Sequence, residues 1–307
     1  MREGERRFRA ARLRYGHGTF NARDEAAYLA LHALDLPLDA PASTLRKNIA
    51  PDDAQRVRQL FDRRVRARKP SAYLTHEAWL GDFPFYVDER VIIPRSHIAD
   101  LLRENLAPWV ATPGQVATAL DLCTGSGCLA ILAAHSFPRA KIDATDASAA
   151  ALAVARINVK SYGLGGRIRL LKSDAFSALG IKRYDLIVCN PPYVTTGAMR
   201  SLPREFRHEP QIALAGGRDG LDLVRGILLS AADHLRPGGL LVMEVGDGRA
   251  RVERAFPRVE FTWPETPGGG DVLAVRREQL SAAALRGRAS RATAGLRAAP
   301  VRRTVRA

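Results

Sequence analysis

Thr118-Ala-Leu-Asp-Leu-Cys-Thr-Gly-Ser-Gly-Cys-Leu-Ala-Ile-Leu-Ala-Ala134 is the stretch that decides the fold. A short apolar run ends in a Gly-rich turn, and the chain then resumes as an apolar segment long enough for a helix. That is how a buried strand hands over to a helix. The pattern recurs downstream. Lys141–Thr145, Arg167–Asp174, Tyr184–Asn190, Gly238–Gly246 and Asp271–Arg277 read as strands, and Ser148–Gly163 and Leu221–Leu235 read as helices. Strands alternating with helices imply a parallel sheet covered on both faces, a Rossmann-like α/β domain over 118–277.

Upstream the character differs. Residues from about 20 to 69 read as helical. Asn21 and Asp24 are placed to accept free amide hydrogens at a helix start, Tyr28, Leu31 and Leu34 recur near helical period, and Pro37 follows the end. A second helix is expected over 54–68, stopping before Pro70. The segment Pro70–Arg95, aromatic and β-branched but broken by Gly81, Pro84 and Pro94, reads as a β-hairpin linker. The domain plan is therefore a helical unit over 1–70, assigned to substrate recognition, then a hairpin linker and leading helix over 71–117. The α/β domain follows, with an Arg/Ala-rich tail over 278–307. The tail has no periodic apolar face, so it is expected to be disordered, and truncation after Glu278 is expected to leave the melting temperature unchanged.

The net charge of +15 is unevenly spread. Seven arginines and no acid lie between Gln279 and Ala307, and seven cations face only Asp62 between Arg56 and Lys69. Such clusters suit an anionic partner such as RNA, but Val57, Leu60, Phe61 and Val65 mark a buried side on the same helix. No apolar run reaches membrane-spanning length and no signal-peptide core follows the Arg-rich start, so the expected address is cytoplasmic. Cys123, Cys128 and Cys189 lack metal-ligand partners at useful spacing and read as inert buried thiols.

Four strand ends carry chemistry. The turn Asp121, Cys123, Thr124, Gly125, Ser126 and Gly127 lets the backbone approach a ligand, although it also satisfies the dinucleotide pattern of a dehydrogenase. Asp146, ending the next strand, suits both hydroxyls of a ribose, with Asp143 a weaker candidate. Asp174 and Ala175 follow the third strand, where a nucleobase edge is expected. The deciding group is Asn190-Pro-Pro-Tyr193 at the end of the fourth. An amide or aromatic amine has a delocalised lone pair and attacks a methyl donor poorly. A site must take both its N–H hydrogens and stabilise the charge growing on nitrogen. The Asn190 side-chain oxygen and the Pro191 carbonyl fit that task, Pro191 and Pro192 stiffen the turn, and Tyr193 packs on a flat substrate group.

From about Gly16 to Arg277 the chain resembles the bacterial protein-glutamine N5-methyltransferases. The resemblance rests on the Gly-rich turn, on Asn190–Tyr193 and on Glu209-Pro-Gln-Ile-Ala-Leu-Ala-Gly-Gly-Arg-Asp-Gly-Leu221. Narrower motifs resemble the branch acting on large-subunit ribosomal protein L3. They are Gly16-His-Gly18, Asn21–Glu25, Leu36–Asp39, Ala72–Thr75, Ile93-Pro-Arg-Ser96 and Asp121–Cys128. The resemblance implies a class I methyltransferase fold and S-adenosylmethionine as methyl donor, held by Asp121, Cys123–Gly127, Asp146, Asp174, Ala175 and Asn190. It also implies ribosomal protein L3 as substrate, free or in a ribosome assembly intermediate, with weak RNA contact through the basic patches. The alternatives are the branch modifying release factors, an adenine-N6 or guanine-N2 nucleic-acid methyltransferase, and a non-catalytic RNA-binding factor with a vestigial pocket.

Overall fold

The computed structural model describes residues 1–41, 43–44 and 48–285. Four helices open the chain: α1 (Arg2–Ala10), α2 (Ala22–Ala33), α3 (Pro51–Ala67) and the short α4 (Ser71–Thr75). α1 has no counterpart in the pattern reading, because its only buried residues are Gly4 and Phe8 and the rest is charged apart from Ala10. Phe8 meets Phe61 of α3 edge to face at 5.3 Å, and a Cβ on Gly4 would stand 2.6 Å from the Phe61 ring. Asn21 caps α2 by accepting from Arg23 N and Asp24 N, while Asp24 accepts the Asn21 amide instead of a backbone hydrogen. α3 begins three residues earlier than its apolar period suggests: Pro51, whose fixed φ suits a first helical turn, starts it, with Asp52 and Asp53 beside it.

The hairpin β1 (Glu77–Leu80) and β2 (Phe83–Tyr86) and the helix α5 (Ile98–Arg103) lead into the α/β domain. There β3 (Thr118–Leu122), α6 (Cys128–Ser136), β4 (Lys141–Asp146), α7 (Ala149–Ser161), β5 (Ile168–Lys172) and β6 (Tyr184–Cys189) follow in turn. After them come α8 (Thr196–Ser201), α9 (Asp222–His234), β7 (Leu235–Gly246), α10 (Arg249–Ala255), β8 (Asp271–Arg276) and α11 (Ala282–Leu285). The strands form a six-stranded sheet in the order β5-β4-β3-β6-β7-β8, parallel except for β8 at one edge. The order reverses between β3 and β6, and ligands in open α/β sheets bind beyond the strand ends at such a switch.

Both faces are covered. Ala119, Leu186 and Val188 pack with α5 and α6, whereas Leu120, Leu122, Ile187 and Leu241 pack with Val224, Ile227 and Leu228 of α9. The strands are apolar on both sides for this reason, so they read as continuous runs without alternation.

The charge clusters look different in three dimensions. Arg56 pairs with Asp53 and Asp35, Arg58 with Glu3, Arg64 with the buried Glu25, Arg68 with Glu205 and Lys69 with Glu89. Of the seven cations between Arg56 and Lys69, Arg63 and Arg66 are the ones left without an acid partner among the described residues.

The tail boundary also moves. Leu280 and Leu285 are 2% and 8% exposed and join the core beneath α9. Gln279 donates to Glu260 O at 2.6 Å and accepts from Arg276 N at 2.7 Å, and Glu278 accepts from Gly238 N. Composition hid this because two leucines in an Ala/Arg background show no period. Residues 286–307, the rest of the expected disordered tail, lie outside the described residues. Truncation after Glu278 is therefore expected to lower the melting temperature, contrary to the expectation from composition. Leu280→Ala alone should cost about 2–4 kcal/mol, read by thermal or denaturant unfolding. A truncated chain melting at the full-length temperature would show that the two leucines contribute nothing.

Candidate active site

The ends of β3, β4, β5 and β6 open on one shared cleft, to which each contributes lining residues. Its floor includes Cys123, Gly125, Asp146, Asp174, Asn190 and Pro192. Val91 and Ile92 of the linker form one wall, and Pro210, Ile212 and Ala213 form the other.

Gly125 and Asp146 are coupled directly. Gly125 N donates to Asp146 Oδ2 at 2.9 Å, and Ser148 N donates to Oδ1 at 2.8 Å. Each carboxylate oxygen keeps a lone pair for a ligand hydroxyl. Burial pushes the Asp146 carboxyl above its ordinary range, and the two amide hydrogens counter that. Asp143 is excluded as its substitute, because its carboxylate is taken by Arg169, Lys182 and the Tyr184 hydroxyl.

Asp121, Thr124, Ser126, Gly127 and Ala175 do not line the cleft. Asp121 Oδ2 accepts from Thr124 Oγ1 at 2.5 Å and Ala130 N at 2.9 Å, fixing the turn from below. Its other oxygen is buried without a hydrogen-bond partner, and burial raises the carboxyl to about 7. Gly127 lets α6 pass close to Ala155 of α7, where a Cβ would sit 3.3 Å from the Ala155 methyl. Ser126 is held through its carbonyl by Asn158 Nδ2 at 2.8 Å, and the same side chain bonds both backbone groups of Tyr86 in β2. Asn158 thus fastens the hairpin to the Gly-rich turn, a role that pattern reading missed in the middle of a helix. Ala175 packs beside Cys123 on the α9 face, and Ser173 is spent on its own turn, donating to Ala175 O and accepting from Ala178 N. Of the thiols, Cys128 and Cys189 are buried as expected, but Cys123 is half-exposed at φ 58° and faces the cleft.

A second, smaller pocket adjoins the first. It is lined by Arg95, Pro191, Tyr193, Val194 and Leu214, and it shares Ile92, Asn190 and Ala213 with the large cleft. Among the described residues the Asn190 side chain and the Pro191 carbonyl accept no hydrogen bond from the protein; Asn190 lines both pockets and Pro191 the smaller one.

The glycine-rich segment after Glu209 clamps this turn. Val194 N donates to Leu214 O and Gly216 N to Val194 O, each at 2.8 Å. A Cβ on Gly216 would stand 2.7 Å from Tyr193 Cα, so no larger residue permits that approach. Glu209 itself is buried, accepting from Ile93 N at 3.0 Å and from both ends of the Arg95 guanidinium, with His17 Nε2 at 3.8 Å. Burial works to raise its carboxyl, but His17 and Arg95 outweigh that and hold it down at about 2. At 3.8 Å the His17–Glu209 separation is too long for a hydrogen bond. Sequence reading gave no role to Glu209, Arg95, His17 or Glu244, whose oxygens accept from the Tyr193 hydroxyl, Ser96 Oγ and His97 N. The signal for Glu244 was a lone acid in an otherwise apolar strand, which needs partners wherever it is buried.

The Methyltransferase small domain family model matches residues 99–214. The ribosomal protein uL3 glutamine methyltransferase of Bordetella pertussis is 54% identical over 276 residues, covering 90% of this chain and 93% of that protein. The protein of the same name from Neisseria meningitidis serogroup A is 54% identical over 275 residues, 89% of this chain and 90% of that protein. That from Burkholderia pseudomallei is 50% identical over 292 residues, 92% and 95%. The chain belongs to the uL3 glutamine methyltransferase family. The methyl donor of this family is S-adenosylmethionine, and the cleft fits it. Asp146, which lines the cleft, offers paired acceptors to a ribose, and the positive-φ Gly125 bares the backbone there.

Two measurements test this site. Asp146→Ala should weaken S-adenosylmethionine binding at least about tenfold, as loss of a charge-assisted acceptor implies, in a calorimetric titration. Unchanged affinity would remove Asp146 from the donor site. Asp121 has a folded value of about 7 against an ordinary 3.8, so the free protein should lose stability as pH rises across that interval. Asp121→Asn, which cannot ionise, should gain on the parent chain over the same range in denaturant unfolding. A gap that does not change with pH would show that Asp121 ionises normally.

Proposed function

We propose that this chain methylates the side-chain amide nitrogen of a glutamine in ribosomal protein uL3, with S-adenosylmethionine as donor. The observation that carries the reading is a pair of acceptors uncommitted within the protein among the described residues, Asn190 Oδ1 and Pro191 O, on neighbouring residues of which Asn190 lines both pockets and Pro191 the smaller one. S-adenosylmethionine, when bound, supplies an electrophilic methyl group on a sulfonium. The residues of this chain do the rest. Asn190 and Pro191 accept the two N–H hydrogens of the substrate amide, turn its nitrogen toward the cleft, and stabilise the positive charge that grows there. Tyr193 walls the pocket, and its ring covers the amide plane. No strong base is needed, because a nitrogen-protonated amide is a strong acid and loses its proton to water after transfer.

The names of the relatives support uL3 over release factors. Five of the seven cations from Arg56 to Lys69 already have acid partners, which leaves Arg63 and Arg66 to offer an RNA phosphate. We therefore favour free uL3 over an RNA-bearing assembly intermediate, since the glutamine must extend into a pocket that bound RNA would obstruct. The helical unit over 1–70 is the proposed recognition surface, and the cytoplasm, where such a substrate is made, is the proposed location. No described helix is long and apolar enough to cross a membrane.

One assay tests the reading. Parent chain and Asn190→Ala are given free uL3, mature ribosomes and release factors with methyl-labelled donor. Label is expected in free uL3 from the parent chain. Asn190→Ala should lose at least about 100-fold in rate, by analogy with removal of one preorganised transition-state contact, while donor binding persists. Label in release factors and not in uL3 would overturn the substrate, and near-normal turnover by Asn190→Ala would overturn the mechanism.

A further inference from the structure

We infer that Glu244 is a positioning residue, tying the Tyr193 hydroxyl to the Ser96–His97 turn and so fixing the wall of the acceptor pocket. The inference rests on the methyl-transfer reading above. Glu244 lies near the end of β7, 2% exposed, and pairs with no cation among the described residues. Its charge is satisfied instead by three hydrogen bonds. Oε1 accepts from Tyr193 Oη at 2.9 Å, and Oε2 accepts from Ser96 Oγ at 2.7 Å and His97 N at 2.9 Å. Bonds to a buried carboxylate are short and about twice as strong as neutral ones, so this group is a firm anchor.

The anchor acts on the Tyr193 side chain, the part of the turn that the backbone hydrogen bonds do not reach. The backbone of Val194 is hydrogen-bonded to Leu214 and Gly216, and Pro191 and Pro192 have fixed φ. Two contacts bear on the torsions of the Tyr193 side chain. One is Gly246, where a Cβ would come within 2.6 Å of the ring. The other is the hydroxyl bond to Glu244. Because Tyr193 shares the small pocket with Asn190, its tilt decides whether a planar amide lies flat between them. Displacements of about 1 Å at a reacting group can cost about 100-fold in rate. Glu244 is not a general base in this arrangement. It lines neither pocket, and its oxygens are occupied by three donors.

The full chain and Tyr193→Phe, Ser96→Ala, Glu244→Gln and the double variant Ser96→Ala/Tyr193→Phe are compared on the glutamine substrate. Tyr193→Phe and Glu244→Gln should each lower kcat about tenfold, about 1.4 kcal/mol of barrier, while donor Kd stays within about twofold. Ser96→Ala should lower kcat by itself but add nothing in the Tyr193→Phe background, since both act through one carboxylate. Multiplying losses, losses that follow the melting temperature, or wild-type kcat in Tyr193→Phe would each overturn the inference. If Glu244→Gln fails to fold, the Ser96/Tyr193 cycle decides alone. Ring NMR of labelled tyrosine separates this from the functional reading. Tyr193 signals, assigned by Tyr193→Phe, should shift in Ser96→Ala whatever the substrate proves to be, and unshifted signals would sink the tether even in an active enzyme.

Discussion

The carboxylate of Glu209 holds the two halves of this molecule in register. It stands on the segment that follows the Asn190 turn, yet its partners are Ile93 N and Arg95 of the linker and His17 of the helical unit. A buried anion is costly unless donors surround it, and here the surrounding groups hold its pKa down at about 2. Losing one partner would leave the rest of the network with an unsatisfied buried charge. Four residues away, Glu205 makes a parallel link, accepting from Arg14 N and pairing with Arg68. The segment between the Asn190 turn and α9 is therefore fastened to the N-terminal helices at two points.

This arrangement gives the scattered motifs a common purpose. Gly16-His-Gly18 brings His17 to Glu209, and Ile93-Pro-Arg-Ser96 brings Arg95 to the same carboxylate and Ser96 to Glu244. Asn21–Glu25 supplies the buried partner of Arg64, and Ala72–Thr75 supplies Tyr73, whose hydroxyl bonds Val91 O in the cleft wall. Several motifs of the helical unit and linker thus brace the residues that line the two pockets. The helical unit is tied to the wall of the site, and so a protein docking on it would be placed relative to Asn190 without a flexible joint between them.

Two buried carboxylates, Glu209 and Glu244, brace the Asn190 turn from outside the cleft. Neither faces the cleft. Both restrain the backbone and ring around Asn190, whose own side-chain amide makes no hydrogen bond within the protein among the described residues. A preorganised acceptor works best when its surroundings are rigid and its lone pairs unspent, because no reorganisation is then needed as charge develops.

The sequence by itself determined the sheet, since an apolar strand ending in a Gly-rich turn has few other ways to bury both faces. It also determined the four strand ends and their residues, because position at the end of a parallel strand is a local property. Asn190, Asp146 and Gly125 were legible on that ground. What the tertiary structure decided depends on partners distant in the chain. Glu209 meets Arg95, Glu244 meets Tyr193, and Asn158 meets Ser126 and Tyr86, and no local pattern encodes those pairings. The same holds for the basic helix, where acids on α1, α2 and the linker neutralise charges that look free in one dimension. It holds again for Leu280 and Leu285, whose burial follows from the sheet edge they reach and not from any period of their own.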